Sequence, residues 1–239
     1  MKTPEGEKSD KHNIVGDYQS GDVQGWLGLS LALPGSSQKE VDVMMTAGFV
    51  DHAFDTEVDR NWIDPVMDWF NAADVASLQN ATETYWKEWL AKGTKLQLPE
   101  DKYNRQYSRA LLTSVLHFDE DLGAVVAGYT NGNYAYVWHR DAVYTAMMFD
   151  KAGYPEISAK VYDWLDNVPL KSPGEFWAQK YTTDGEITWR QPQVDETAII
   201  PFGAYYHYKV TGDLSFLTNH WDMIRHAAYV CSQDNADPD

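Results

Sequence analysis

Cysteine occurs once in the 239 residues, at Cys231, so no internal disulfide can hold the fold together. Basic residues are scarce: 19 Lys and Arg stand against 36 Asp and Glu, a formal net charge of −17. Nucleic acids and anionic membranes both demand positive charge, so neither is an expected partner. No apolar run approaches the roughly 20 residues of a membrane-spanning helix. The opening "MKTPEGEKSDKHN" is polar and has no apolar core of a secretory signal, which carries little weight where a chain starts inside a longer one. Histidines show no tight metal-ligand spacing, His220 and His226 being six apart, and no metal or other cofactor is expected. The acidic stretch "DHAFDTEVDRNWIDPVMDW" reads as a solvated surface rather than a calcium site. The "NAT" at 80–82 falls in an expected helix and carries little weight as a glycosylation acceptor.

A further absence disposes of a tempting motif. Residues 139–141 spell His-Arg-Asp, the triplet of the protein-kinase catalytic loop. That loop needs an Asn five residues after its Asp, and Ala146 stands there. No glycine-rich phosphate loop precedes it and no Asp-Phe-Gly follows, so phosphoryl transfer is set aside.

What the chain has in quantity is aromatic: 14% of residues, with 10 Trp and 15 Tyr. Large amphipathic rings suit a cleft for a ligand with apolar faces and hydroxyls. A Trp-rich helical core accounts for many of them equally well. In "DVQGWLGLSLAL", Leu27, Leu29, Leu31 and Leu33 alternate with small residues, the pattern of a half-buried strand. "PGSSQ" reads as a turn and "KEVDVMMTAGFV" as a second strand. From Val66 to Leu90 the spacing becomes helical, giving one or two helices, and "AKGTKLQLPEDK" follows as a loop.

Beyond residue 100 the pattern repeats helix, turn, helix. Five helices are expected: around 104–118, 141–153, 154–168, 195–212 and 213–231. The second and fourth are broadly apolar; in the third, Ile157, Val161, Trp164 and Leu165 form one stripe. Glycines at "KAG" and "VTG" mark helix ends, and Pro201 falls near the first turns of the fourth helix or at a kink. Buried helices alternating with amphipathic ones fit two concentric layers, and an ordinary helical bundle fits as well.

Two polar loops each precede a broadly apolar helix: "NYAYVWHRDA" and "DGEITWRQPQVDETA". Each carries a Trp, an Arg and a carboxylate near a helix start. Taken singly, Asp141 and Asp195 would be helix-terminus residues. Two such loops in one chain favour a binding role.

Together, "YAYVWHRDA" and "WRQPQVDETA" resemble glycoside hydrolase family 15, the glucoamylase and glucodextranase family. "YWKEWL", "LPEDKYNRQYSRALLTSVLHFDEDLGAVVAGYTN" and "KVTGDLSFL" extend the resemblance to its bacterial and archaeal branch. The resemblance implies a mainly α fold: a partial (α/α)6 barrel preceded by the last strands of a β-sandwich and a helical linker. The corresponding expectation is sandwich strands over 1–60, linker over 61–100 and the first part of the barrel over 101–239. It also implies exo-hydrolysis of α-glucosidic bonds, releasing glucose from the non-reducing end of an α-glucan with inversion. Arg140 and Asp141 match the pair that grips the outer hydroxyls of the terminal sugar, chemistry that suits a guanidinium and a carboxylate. Tyr134 and Trp138 match aromatics of the same subsite. Trp189 matches the tryptophan shaping the pocket near the general acid, and Gln193 and Asp195 match polar residues of that loop. For Trp138 and Trp189 the competing reading is core packing.

This chain departs from the family pattern in places. Gln191 stands where Arg often precedes Pro-Gln, with Arg190 one position earlier, and His139 occupies a variable position. An inverting glycosidase needs an acid and a base flanking the bond. By this mapping both glutamates lie beyond Asp239, leaving no catalytic residue within these 239. Asp141 and Glu196 could in principle form a pair of their own, but the matching positions bind sugar in relatives. The rival reading is a non-catalytic carbohydrate-binding or structural piece. Inner helices such as 141–152 need neighbours on both sides, so the remainder of the barrel or self-association is expected to cover them.

Overall fold

The computed structural model describes residues 72–128, 134–172 and 174–234, together with 35, 36, 38, 64–66, 68 and 69. The two strands expected over 22–33 and 39–50 lie outside the described residues, as does most of the acidic stretch at 51–69. The turn between those strands is seen at Gly35 and Ser36, where Ser36 takes a φ of 64°. The chain divides into two compact units, Met1–Tyr85 and Trp86–Asp239, and the packing below lies within the second.

The described residues are mainly helical. Seven named helices follow one another: α1 (Val75–Lys92), α2 (Asp101–Val115), α3 (His139–Ala152), α4 (Pro155–Asn167), α5 (Val194–Thr211), α6 (Leu214–Asn219) and α7 (Trp221–Asp234). A short hairpin, β1 (Lys180–Tyr181) with β2 (Ile187–Trp189), interrupts them between α4 and α5. Sequence punctuation explains the boundaries. Gly153 and Gly212 end α3 and α5 in the left-handed conformation, at φ of 89° and 69°. Pro155 opens α4, where its missing N–H is not needed. Pro201 sits well inside α5.

The fifth expected helix is two. Asp213 caps α6, accepting from the backbone N–H groups of Ser215 and Phe216. At His220 the backbone leaves helical geometry (φ −99°, ψ 12°) before α7 begins at Trp221. The break places the His220 ring against α4, with Nδ1 3.0 Å from Asp166 and Nε2 3.3 Å from Asp163. Periodicity alone carried no sign of it, because both halves are amphipathic.

The helix α3 packs against α4 and α5, and α5 packs also against α7. On α4 the buried residues include the expected stripe of Ile157, Val161, Trp164 and Leu165. On α5 the buried side is Glu196, Ile200, Gly203, Ala204 and His207. The opposite side of α5 is exposed yet largely apolar: Val194, Ala198, Phe202 and Tyr205. A helix apolar on both sides shows no amphipathic pattern, which is why its sequence reads as broadly buried.

Helices α3, α4 and α5 are also tied by buried polar groups. His207 Nδ1 lies 2.7 Å from Asp150 Oδ1 and 3.2 Å from Ser158 Oγ. The close approach of α3, α4 and α5 depends on Gly203. A Cβ there would run into Val143 Cγ1 on α3 and the Tyr162 hydroxyl on α4. Gly203→Ala should lose about 2 kcal/mol of stability, overpacking outweighing about 1 kcal/mol of gained helix propensity. Urea unfolding of the variant checks this; an unchanged midpoint would mean the helices can separate freely.

Candidate functional site

The two polar loops singled out from sequence are brought side by side by a small β arrangement. Val137 pairs with Tyr181, with mutual backbone hydrogen bonds of 2.9 and 3.0 Å. Tyr181 belongs to β1, and Lys180 of β1 pairs with Trp189 of β2. The chain entering α3 is therefore one strand away from the chain entering α5. The Tyr181 side chain fixes this layer from below: its hydroxyl donates to the Pro169 carbonyl and accepts from the Ala178 N–H, both at 2.7 Å. Burial pushes the Tyr181 phenol well above its ordinary pKa, so it stays a neutral donor.

The geometry yields an aromatic wall. Trp138 and Trp189 meet edge to face, ring centroids 6.2 Å apart at 73°. Trp189 is 45% exposed, so core packing does not describe it. Lys180 Nζ lies 4.4 Å from the Tyr136 ring centroid and 5.8 Å from that of Trp189. Tyr134 is 60% exposed, and its carbonyl accepts from the Gly128 N–H at 2.8 Å.

A charged hub joins the helix starts. Arg140, in the first turn of α3, donates from Nη1 to Gln193 Oε1 at 3.2 Å and to Asp195 Oδ2. Its Nη2 is 3.2 Å from Glu196 Oε1, and its backbone N–H donates to Glu196 Oε2 at 2.7 Å. Arg140, Gln193 and Asp195 are thus assembled as one cluster. Asp141 lies beside them in sequence, exposed in the first turn of α3. It takes no hydrogen bond from a side chain among the described residues.

Both aspartates lie in the first turn of their helices, where the helix dipole favours a carboxylate, but neither is the N-cap. Trp138 is the N-cap of α3 and Gln193 that of α5, and neither cap is made by a side chain. Asp195 pairs with Arg140 instead. The free N–H at the start of α3 is satisfied from another helix, by Glu196. Arg190, the displaced arginine of the second loop, is not in the hub: it donates to the Lys171 carbonyl at 2.5 Å.

Glu196 is the residue sequence reasoning undervalued. Its side chain is fully buried. Burial is the main cause pushing its carboxyl up to about 7; the Arg140 N–H and guanidinium pull it down, and Asp141 and Asp195 raise it further. A legible signal existed, since Glu196 shares a helical face with Ile200, Gly203 and His207, and a carboxylate on a buried stripe calls for a partner. Arg140 itself is raised above its ordinary pKa by Asp195.

His139 is fully buried among Trp164, Trp177 and Tyr181, its ring 4.9 Å from that of Tyr181. Neither ring nitrogen has a hydrogen-bond partner among the described residues. Burial holds the imidazole down to about 3, so it packs as a neutral ring. Among the described residues no group of His, Cys, Asp and Glu could hold a metal ion, and no helix is long and apolar enough to cross a membrane.

Residues 101–188 match the model of the glycosyl hydrolases family 15. Over 156 residues the chain is 28% identical to an uncharacterised glycosyl hydrolase of Methanocaldococcus jannaschii, covering 64% of this chain and 25% of that protein. The chain thus spans about a quarter of the length of the curated relative it matches. No solved structure matches it. Residues 101–188 are thus similar to the glycosyl hydrolases family 15.

Proposed function

We propose that this chain carries the sugar-gripping part of a glycosidase that releases glucose, with inversion, from the non-reducing end of an α-glucan. The observation that carries this reading is the meeting of Arg140, Gln193 and Asp195 near an edge-to-face pair, the half-buried Trp138 and the exposed Trp189. Sugars present apolar ring faces and a fringe of hydroxyls. An aromatic wall matches the first and an ion-paired guanidinium with an adjacent exposed carboxylate matches the second. Of the five Arg140 N–H donors, the hub's side-chain hydrogen bonds use those on Nη1, leaving Nε–H and Nη2 donors for a ligand. Asp141 accepts from two hydroxyls of the terminal sugar, and Tyr134 extends the wall.

In this reading the helices from α2 onward are the first part of an (α/α)6 barrel, preceded by the end of a β-sandwich and a linker. The apolar exposed side of α5 then faces further barrel helices, or a second copy of the chain. The acid and base belong outside residues 1–239. Glu196 has a pKa suited to a general acid, yet a carboxyl fully buried and already bonded to Arg140 is out of reach of a glycosidic oxygen. Hydrolysis by these 239 residues that was lost in Glu196→Gln would overturn that assignment.

The rival is a carbohydrate-binding protein without turnover, and it shares the same grip. Asp141→Asn should therefore weaken maltose binding by about 2 kcal/mol, roughly thirtyfold, under either reading. Calorimetric titration with maltose measures it. Unchanged affinity in both Asp141→Asn and Arg140→Ala would remove sugar binding from this site. Glucose release from maltose by the full-length protein separates the enzyme from its rival.

A further inference from the structure

Glu196 holds a single residue at both its ends. Its Oε2 accepts from the Arg140 backbone N–H at 2.7 Å while Oε1 faces the Arg140 guanidinium at 3.2 Å. The first contact satisfies a donor that the start of α3 leaves open. The second restrains a long side chain with many free rotamers. The three partners around the guanidinium are unequal. Gln193 is neutral, and the Asp195 side chain is 61% exposed and screened by water, whereas Glu196 is fully buried. Asp195 makes a hydrogen bond, and the buried Glu196 carboxylate adds an ion pair whose field is the least screened by water.

We infer that Glu196 is the positioning residue of this site: its buried carboxylate, when charged, locks the Arg140 guanidinium in the sugar-binding position, so that grip on the sugar depends on pH. This rests on the sugar-binding reading above and adds a regulator to it. Charged groups acting on Glu196 are Arg140 and Asp141 from α3 and Asp195 from its own helix. Protonation removes the ion pair but leaves an oxygen to accept the Arg140 N–H. The helix start is then kept, while the guanidinium is held only by solvent-exposed or neutral partners. With Glu196 pushed up to about 7, this transition falls in the range where histidine is usually the only titrating side chain. No histidine contacts the guanidinium among the described residues.

The test is maltose affinity of the full chain measured from about pH 5.5 to about pH 8.5, in wild type and in Glu196→Gln. Wild type should bind at least about fivefold more tightly at the alkaline end, with a midpoint near neutrality. Glu196→Gln keeps an acceptor for the Arg140 N–H, so it should fold, bind as weakly as protonated wild type, and show no pH dependence. A flat wild-type profile overturns the inference without any variant. So does a Glu196→Gln protein with wild-type affinity and profile while Arg140→Ala abolishes binding; the sugar-binding reading would then survive alone. If Arg140→Ala and Asp141→Asn leave maltose binding unchanged, the sugar reading fails, and the lock is judged by NMR of the Arg140 side chain. An Arg140 Nε–H that is ordered in wild type and mobile in Glu196→Gln supports the lock, and equal mobility in both overturns it.

Discussion

Replacing His139 by leucine should stabilise this protein, and increasingly so as the solution is made acid. The neutral ring carries an N–H and a lone pair that meet no partner among Trp164, Trp177 and Tyr181. Leaving such groups buried and unbonded costs about 1–3 kcal/mol, against which the lost ring contacts count for less. The pH dependence follows from linkage. The imidazole is held at about 3 in the fold, below the 6.5 of a free histidine. Below about 6.5 the unfolded chain binds a proton that the folded chain refuses, so stability falls as pH falls, by about 1.4 kcal/mol per unit at most.

Glu196 runs the other way. Its folded pKa, about 7, lies above the 4.5 of a free carboxyl, so its contribution is present below about 4.5 and lost as pH rises toward 7. Between about 4.5 and 6.5 the two slopes oppose one another in wild type; below that window His139 acts alone. In His139→Leu the opposition is gone. The gain over wild type should reach about 3 kcal/mol near pH 4.5. Urea unfolding at a series of pH values measures it, and a stability difference independent of pH would show that His139 finds a partner or water in solution.

Arg140→Ala should be the most damaging single change at the site. It leaves Glu196 with its backbone hydrogen bond but without a counter-charge, and breaking one partner out of a buried pair costs about 3–5 kcal/mol. The lower end applies, because the Arg140 side chain is 36% exposed and the carboxyl can shed its charge by taking up a proton. The loss should therefore be about 3 kcal/mol at alkaline pH and shrink as pH falls through neutrality. Arg140→Met combined with Glu196→Leu removes both charges and should recover part of the loss, though it leaves the Arg140 N–H without its acceptor. A loss equal at all pH values would assign the effect to Asp195 and to packing rather than to Glu196.

Much of the helical framework was legible without coordinates. Gly153 and Gly212 stand where helices end, Ile157 to Leu165 mark the inward stripe of α4, and the two loops with Trp, Arg and Asp are the ones that meet. Other features were hidden for physical reasons. The break at His220 depends on carboxylates of α4 that lie far away in sequence. Asp141 and Asp195 read as helix-terminus residues from local rules and do lie in first turns, whereas the open N–H at the start of α3 is served by a side chain 56 residues on. His139 reads as one polar residue in a polar loop, and nothing local says that its ring turns into the core.

By itself the sequence determined where most of the helices lie and which two loops carry a Trp, an Arg and a carboxylate beside a helix start. Those properties follow from side-chain periodicity and backbone preference, and they act over a few residues. Only the tertiary structure decided which groups meet. It gave the Arg140 guanidinium two acceptors and a buried ion-pair partner from the α5 entry, joined Trp138 to Trp189 through Val137 and Tyr181, and buried Glu196 and His139 out of water. Burial sets the protonation state of both, and burial is a property of packed helices rather than of any one of them.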